Sequence, residues 1–169
     1  MLTKDEENRL FKAIGDHWIR PLVICGLQTA LRKSQILNLK FDCVNFEERY
    51  VDILKSKNGK AIKIPMSDKL YNVLINQPRI NEYVFVNPKT KNRHSNINDI
   101  FPEFLKKAKI KNFTFHDLRH TAATRMVERG IDLVVVKEIL DHSDINTTLR
   151  YAHPVPKRKL EAIKVLNDY

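Results

Sequence analysis

The chain has only two cysteines in 169 residues, Cys25 and Cys43. They lack metal-type spacing and are too few for a disulfide framework, so the sequence reads as a reduced, cytosolic protein. The N-terminus, MLTKDEENRL, has no apolar signal region. No apolar run is long enough to span a bilayer; the most apolar stretch, Ile19 to Leu31, is broken by Arg20 and Pro21. Internal repeats, low-complexity runs, interdomain linkers and coiled-coil bias are missing too. Acid is in short supply: 20 Asp and Glu stand against 30 Lys and Arg, a formal net charge of +10. That balance favours an anionic partner, and nucleic acid is the commonest one.

What is present suits one globular domain over residues 1–169, with 43% apolar residues to fill an ordinary core. Thr3 to Glu6 reads as a capping box opening a helix with Leu10, Phe11 and Ile14 on one face. Pro21 suits the first turn of a second helix through Leu22, Val23, Ile24 and Leu27, and a short helix over Lys33–Leu39 follows. From Phe41 to Met66 the apolar period shifts towards two, through Tyr50, Val51 and Ile53 and then Ile62 and Ile64. Lys57-Asn58-Gly59-Lys60 lies between those runs, and Asn-Gly is a strong hairpin signal that sets Lys57 at a β-hairpin tip. Ser67 caps a further helix through Leu70, Val73 and Leu74, and Tyr83 to Val86 is a short extended piece. Helices are expected at about Asn96–Lys109, His116–Arg129, Leu133–Leu140 and Asp144–Arg150, with Gly130 at a helix C′ position and a last helix beyond Pro156. The expected fold class is α+β, mainly helical, with a small antiparallel β-sheet.

The stretch FHDLRH, Phe115 to His120, is the first chemical lead. On a helix, His116 and His120 share a face, as the two histidines of a zinc protease do. A zinc site also needs a glutamate general base and a third ligand. Here Asp117 holds the second position, Arg119 puts a guanidinium beside any dication, and the third ligand position falls at Met126. The metal reading is therefore weak, and surface histidines on a core helix fit better. Phe115, Leu118, Met126 and Val127 read as core-facing.

The rest of the chain changes that balance. TALRKSQILNL (Thr29 to Leu39), SKNGKAIKIPM (Ser56 to Met66), HDLRHTAATRM and ILDHSDINTTLRYAHP (Ile139 to Pro154) occur in that order. The set resembles the catalytic domain of the tyrosine recombinases, the integrases of phages and mobile elements, from about Leu2 to Pro154. The resemblance implies that Arg32 and Arg119 bind the scissile phosphate and that His142 adds a donor. It makes His116 the group that helps Tyr151 ionise, Lys57 the general acid and Tyr151 the nucleophile. His120 falls outside the set, with a supporting role. It implies no metal and no cofactor. The partners implied are double-stranded DNA and further copies of the chain, a tetramer on DNA, in a bacterial or phage-derived cytoplasm near the nucleoid. The tail over residues 155–169 reads as an amphipathic helix that packs on its own domain or is exchanged between protomers.

The chemistry suits these residue types. A tyrosine oxygen can hold the phosphodiester energy as a phosphotyrosine, splitting one hard step into two reversible ones. Guanidinium groups are always charged and bind phosphate oxygens bidentately. Taken singly, Arg32 beside Lys33 reads as a solvated pair, Lys57 as a charged hairpin end, His142 as a helix cap and Tyr151 as a packing aromatic. Their order along the chain is what those readings leave unexplained.

Three positions depart from the family pattern. Ala30 replaces the glycine of T-G-x-R, Gln35 an acid, and Asp141 the glycine of L-G-H. The N-terminal DNA-clamping domains usual in the family are expected to be absent, and DNA binding correspondingly weaker. A type IB topoisomerase-like nicking-closing enzyme and an inactive DNA-binding relict are the competing readings, with a zinc hydrolase a distant fourth.

Overall fold

The computed structural model describes residues 1–54, 61–94 and 96–152. Lys57 and the tail from residue 155 onward lie outside the described residues. The fold is α+β and mainly helical around a small antiparallel sheet, as the apolar periods imply.

Helix α1 (Lys4–Ile14) opens on the expected capping box: Thr3 Oγ1 accepts the Glu6 amide at 3.2 Å and Glu6 Oε2 accepts the Thr3 amide at 2.9 Å. Helix α2 (Arg20–Thr29) starts with Pro21 in its first turn and buries Leu22 through Leu27 together with Thr29. A helix buried on nearly all sides must have partners around it, and α2 packs on both α4 (Asp68–Ile75) and α6 (Asp117–Glu128). The approach to α6 is close: a Cβ on Gly26 would lie 3.2 Å from Leu118 Cδ1 and 3.3 Å from Leu118 Cβ.

Helix α3 (Lys33–Leu37) is two residues shorter than expected, because Asn38 bonds back through its side chain to the Ser34 carbonyl at 2.7 Å and closes the last turn. The period-two region does not begin at Phe41; Phe41–Cys43 is a 3₁₀ turn. Strands β1 (Val44–Asn45), β2 (Tyr50–Leu54) and β3 (Ala61–Pro65) then form an antiparallel sheet in that order. The register pairs Val51 with Ile64 and Leu54 with Ala61, so residues 55–60 join the two longer strands. Val51, Ile53 and Ile64 point into the core. Tyr83 to Val86 makes only isolated bridges, Lys40 with Tyr83 and Val86 with Arg93.

The two helices expected at Asn96 and Asp144 both begin later. Helix α5 (Ile100–Lys107) starts after an Asx turn in which the Asn98 amide bonds Asn96 Oδ1 at 2.9 Å. Helix α8 (Asn146–Leu149) starts after the matching turn of Asp144, whose Oδ1 accepts the Asn146 amide at 3.0 Å. In each case a short polar side chain competes with the helical backbone for an early amide. Helix α7 (Leu133–Leu140) has the expected bounds, and Gly130 takes a φ of 86 just past α6.

Most apolar side chains form one cluster around α2 and the sheet. A smaller one gathers Ala30, Ala122, Ala123, Val127, Val136, Leu140 and Tyr151 between α6 and α7. Of the residues singled out from the sequence, Tyr151 belongs to this second cluster. Among the described residues no helix is long and apolar enough to cross a membrane.

Candidate active site

The first turn of α6 fixes two of the site residues. Asp117 Oδ2 accepts the Thr114 amide and the Thr114 hydroxyl, both at 2.7 Å. The acid that suggested a metal site therefore fastens the helix entrance. Among the described residues, no group of three or more His, Cys, Asp or Glu side chains is arranged to hold a metal ion.

Arg119, one turn into α6, is only 4% exposed. It donates from Nη1 to the Ala30 carbonyl at 2.9 Å and from Nη2 to the Leu140 carbonyl. Those carbonyls lie at the C-terminal ends of α2 and α7, where the helix dipoles are negative, so one cation ties together two helix ends. Burial, and next the nearby charge of Arg32, pull its pKa down to about 10, which leaves it charged at neutral pH.

Both helix ends turn through left-handed residues. Ala30 has φ 56 and ψ 20, and Asp141 has φ 51 and ψ 45. These are the two positions where the family pattern carries glycine, the residue that adopts this conformation without cost. The unusual Ala30 and Asp141 keep the backbone shape and take on the strain.

Arg32 stands at the N-cap of α3, where its amide donates to Gln35 Oε1 at 2.8 Å. Gln35 thus serves as a cap and needs no charge for that role. The Arg32 guanidinium reaches back across the site. Its Nη2 donates to the Asp141 carbonyl at 3.4 Å, and its Nη1 lies 3.7 Å from Asp141 Oδ2. The odd carboxylate therefore faces the first arginine, on a side chain that is 43% exposed.

His142 follows directly, its Nδ1 2.9 Å from Thr148 Oγ1. Burial first, then the charges of Arg119, Arg32 and Arg150, lower its pKa to about 4. At neutral pH it is an uncharged imidazole beside two cations. Such a group can give an N–H to a phosphate oxygen without adding charge.

Tyr151 is buried, and its amide donates to the Thr148 carbonyl at 3.0 Å. Its hydroxyl lies 2.7 Å from Nδ1 of His120. Burial raises the phenol's pKa, while the Arg119 and Arg150 charges act to lower it. His116 meets His120 edge to face, with ring centroids 4.9 Å apart. Both histidines are held below their usual pKa, chiefly by burial, and next by Arg119 for His116 and by His116 for His120.

The structure thus brings Arg32, His116, Arg119, His142 and Tyr151 into one site. The residue that sequence reasoning set aside is His120, which holds the tyrosine hydroxyl. Its presence on the His116 face was readable, but a contact between residues 31 positions apart was not.

Comparison with known proteins gives the same class. A sequence model of the Phage integrase family matches residues 1–158. The tyrosine recombinase XerA of Pyrococcus furiosus is 35% identical over 98% of this chain and 61% of its own length. The catalytic domain of bacteriophage HP1 integrase superposes with a TM-score of 0.75 at 26% identity, covering 97% of this chain and 92% of that domain. The Tn1549 transposon integrase, solved with transposon right end DNA, shares the fold at a TM-score of 0.80 and 21% identity, over 98% of this chain and 65% of the other. The chain belongs to the phage integrase family, the tyrosine recombinases. It spans about three fifths of the length of the XerA recombinases it matches.

Proposed function

We propose that this chain carries the strand-breaking and strand-joining chemistry of a site-specific DNA recombinase, acting through a 3′-phosphotyrosyl intermediate. The observation that carries the reading is the nearness of the four groups: the charges of Arg119 and Arg32 act on His142, and the charge of Arg119 acts on Tyr151. Tyr151 Oη gives up its proton to a neighbouring base and attacks phosphorus, an Oη–P bond forms, the P–O5′ bond breaks, and the leaving oxygen takes a proton from Lys57. The free 5′ hydroxyl of a partner strand reverses the step and regenerates the phenol.

Arg32 and Arg119 bind the non-bridging oxygens and stabilise the charge that builds there, usually the largest catalytic contribution. His142, neutral before DNA arrives, donates a further hydrogen bond. His116 packs on His120 and sits among the same charges, where it biases the ionisation of Tyr151. The partner is double-stranded DNA, supported by the net charge of +10 and by the DNA-bound integrase that shares this fold. Assembly on that DNA is as a homo-oligomer, a tetramer.

The test uses the 169-residue chain with a library of nicked duplexes of randomised sequence, in which cleavage releases a short fragment and traps the covalent product. An adduct that survives denaturation, forms in chelator and disappears in Tyr151→Phe is expected. Absence of any adduct with the wild-type chain would overturn the reading and favour an inactive DNA-binding descendant.

A further inference from the structure

The 2.7 Å contact between His120 Nδ1 and Tyr151 Oη gives the nucleophile a neighbour with its own chemistry. A buried phenol next to positive charge needs two things before it can attack: a fixed hydroxyl direction and somewhere for the proton to go. His116, whose place in the sequence motif assigns it that task, is packed edge to face against His120. In the observed arrangement His120 is the imidazole bonded to the phenol, with its ring centroid 5.7 Å from the Tyr151 ring.

We infer that His120 is the catalytic base for Tyr151, fixing its hydroxyl through Nδ1 and taking its proton as Oη attacks phosphorus. This rests on the strand-transfer reading above and adds a residue to it. In balance, the Oη–H bond breaks, its proton goes to Nδ1 of a neutral His120 carrying its hydrogen on Nε2, and the freed electron pair forms the Oη–P bond. On resealing, the imidazolium returns the proton to the departing phenolate. The groups facing His120 are His116, Asp117 and Arg119 from α6 and its entrance, and Arg150 and Tyr151 from the segment after α8. Burial, His116, Arg150 and Arg119 favour the neutral form, and Asp117 alone opposes them. The base is therefore in its working state at neutral pH.

Two measurements test this. Side-chain ¹⁵N NMR of the free wild-type chain reads the tautomer directly: a hydrogen on Nε2, with an Nδ1 resonance that moves in Tyr151→Phe, is expected. A hydrogen on Nδ1 would make His120 a donor to the phenol and overturn the base assignment, with no DNA needed. The second follows the rate of adduct formation on the randomised nicked duplexes against pH. His120→Gln, checked by thermal melting to be folded, is expected to lose about 100-fold in rate. It should also lose the fall in rate that the wild type shows as pH drops below neutrality. His116→Gln should keep that acidic limb at whatever rate it retains. Wild-type rate and pH profile in folded His120→Gln would overturn the inference alone; a wild-type chain that makes no adduct would take the strand-transfer reading down with it. Should His120→Gln fail to fold, the tautomer decides.

Discussion

Replacing Asp141 with glycine tests how the site has been altered from its family pattern. The substitution does two separable things. It relieves a non-glycine residue at φ 51 and ψ 45, a strain of about 1 kcal/mol for an L-residue in the left-handed region. Against that, glycine adds chain entropy to the unfolded state worth about 0.5–1 kcal/mol. The two nearly cancel, so the melting temperature should move by no more than loss of the Arg32 pairing accounts for. The electrostatic effect does not cancel. Asp141 Oδ2 lies 3.7 Å from Arg32 Nη1, and both side chains are partly exposed, so the pairing is worth about 1 kcal/mol or less. A DNA phosphate must displace that carboxylate from Arg32 and then tolerate it as a neighbour, for a total handicap of about 1–2 kcal/mol. Removing it should tighten DNA binding about five- to thirtyfold, read by fluorescence anisotropy at fixed salt on a labelled duplex. Asp141→Asn removes the charge and tolerates the left-handed backbone, so it should give the same gain. Unchanged or weaker binding in both variants, with the melting temperature intact, would refute the idea that this carboxylate competes with phosphate.

Other outcomes follow from the same geometry. Gly26→Ala should lower stability by about 1 kcal/mol despite alanine's better helix propensity, because the new methyl meets Leu118 Cβ, a fully buried atom with no free end to move; a higher melting temperature would contradict this. Arg119→Lys keeps a charge but cannot bridge the Ala30 and Leu140 carbonyls, so it should cost about 2–3 kcal/mol in denaturant melts and abolish the adduct. Acid should destabilise the fold through its histidines. The folded pKa of His142 is about 4 against an ordinary 6.5, so the unfolded chain binds that proton first, and stability present above pH 6.5 is lost as pH falls towards 4. His17, His94, His116 and His120 shift in the same direction, and a melting temperature flat over that range would count against these environments.

Much of this architecture was legible because local rules coincide with the tertiary outcome. The Thr3 box, the Pro21 start, the Gly130 stop and the switch to period two each depend on a few neighbouring residues. The sequence misplaced the starts near Asn96 and Asp144, where an Asx turn and a helical first turn offer the same amide to different acceptors. Within the site, the order of motifs pointed to Arg32, Arg119, His142 and Tyr151. It could not reveal that Ala30 and Asp141 occupy left-handed helix ends, that Gln35 acts as a cap, or which of two neighbouring histidines meets the phenol. Those facts depend on how α6 lies against α7 and the segment after α8, a distance no periodicity encodes.

The placement of Arg119 also constrains how such a chain decays. A guanidinium offers five donor hydrogens, and this one commits at least two of them to the ends of α2 and α7. A lineage that no longer needs strand transfer can lose the Tyr151 hydroxyl, or the half-exposed Arg32 with its long 3.4 Å bond to the Asp141 carbonyl, and still fold. Losing Arg119 removes the join itself. Selection for mere solubility would therefore preserve this arginine after selection for chemistry had lapsed, and its presence in a distant copy is a record of folding, whereas the tyrosine is a record of use.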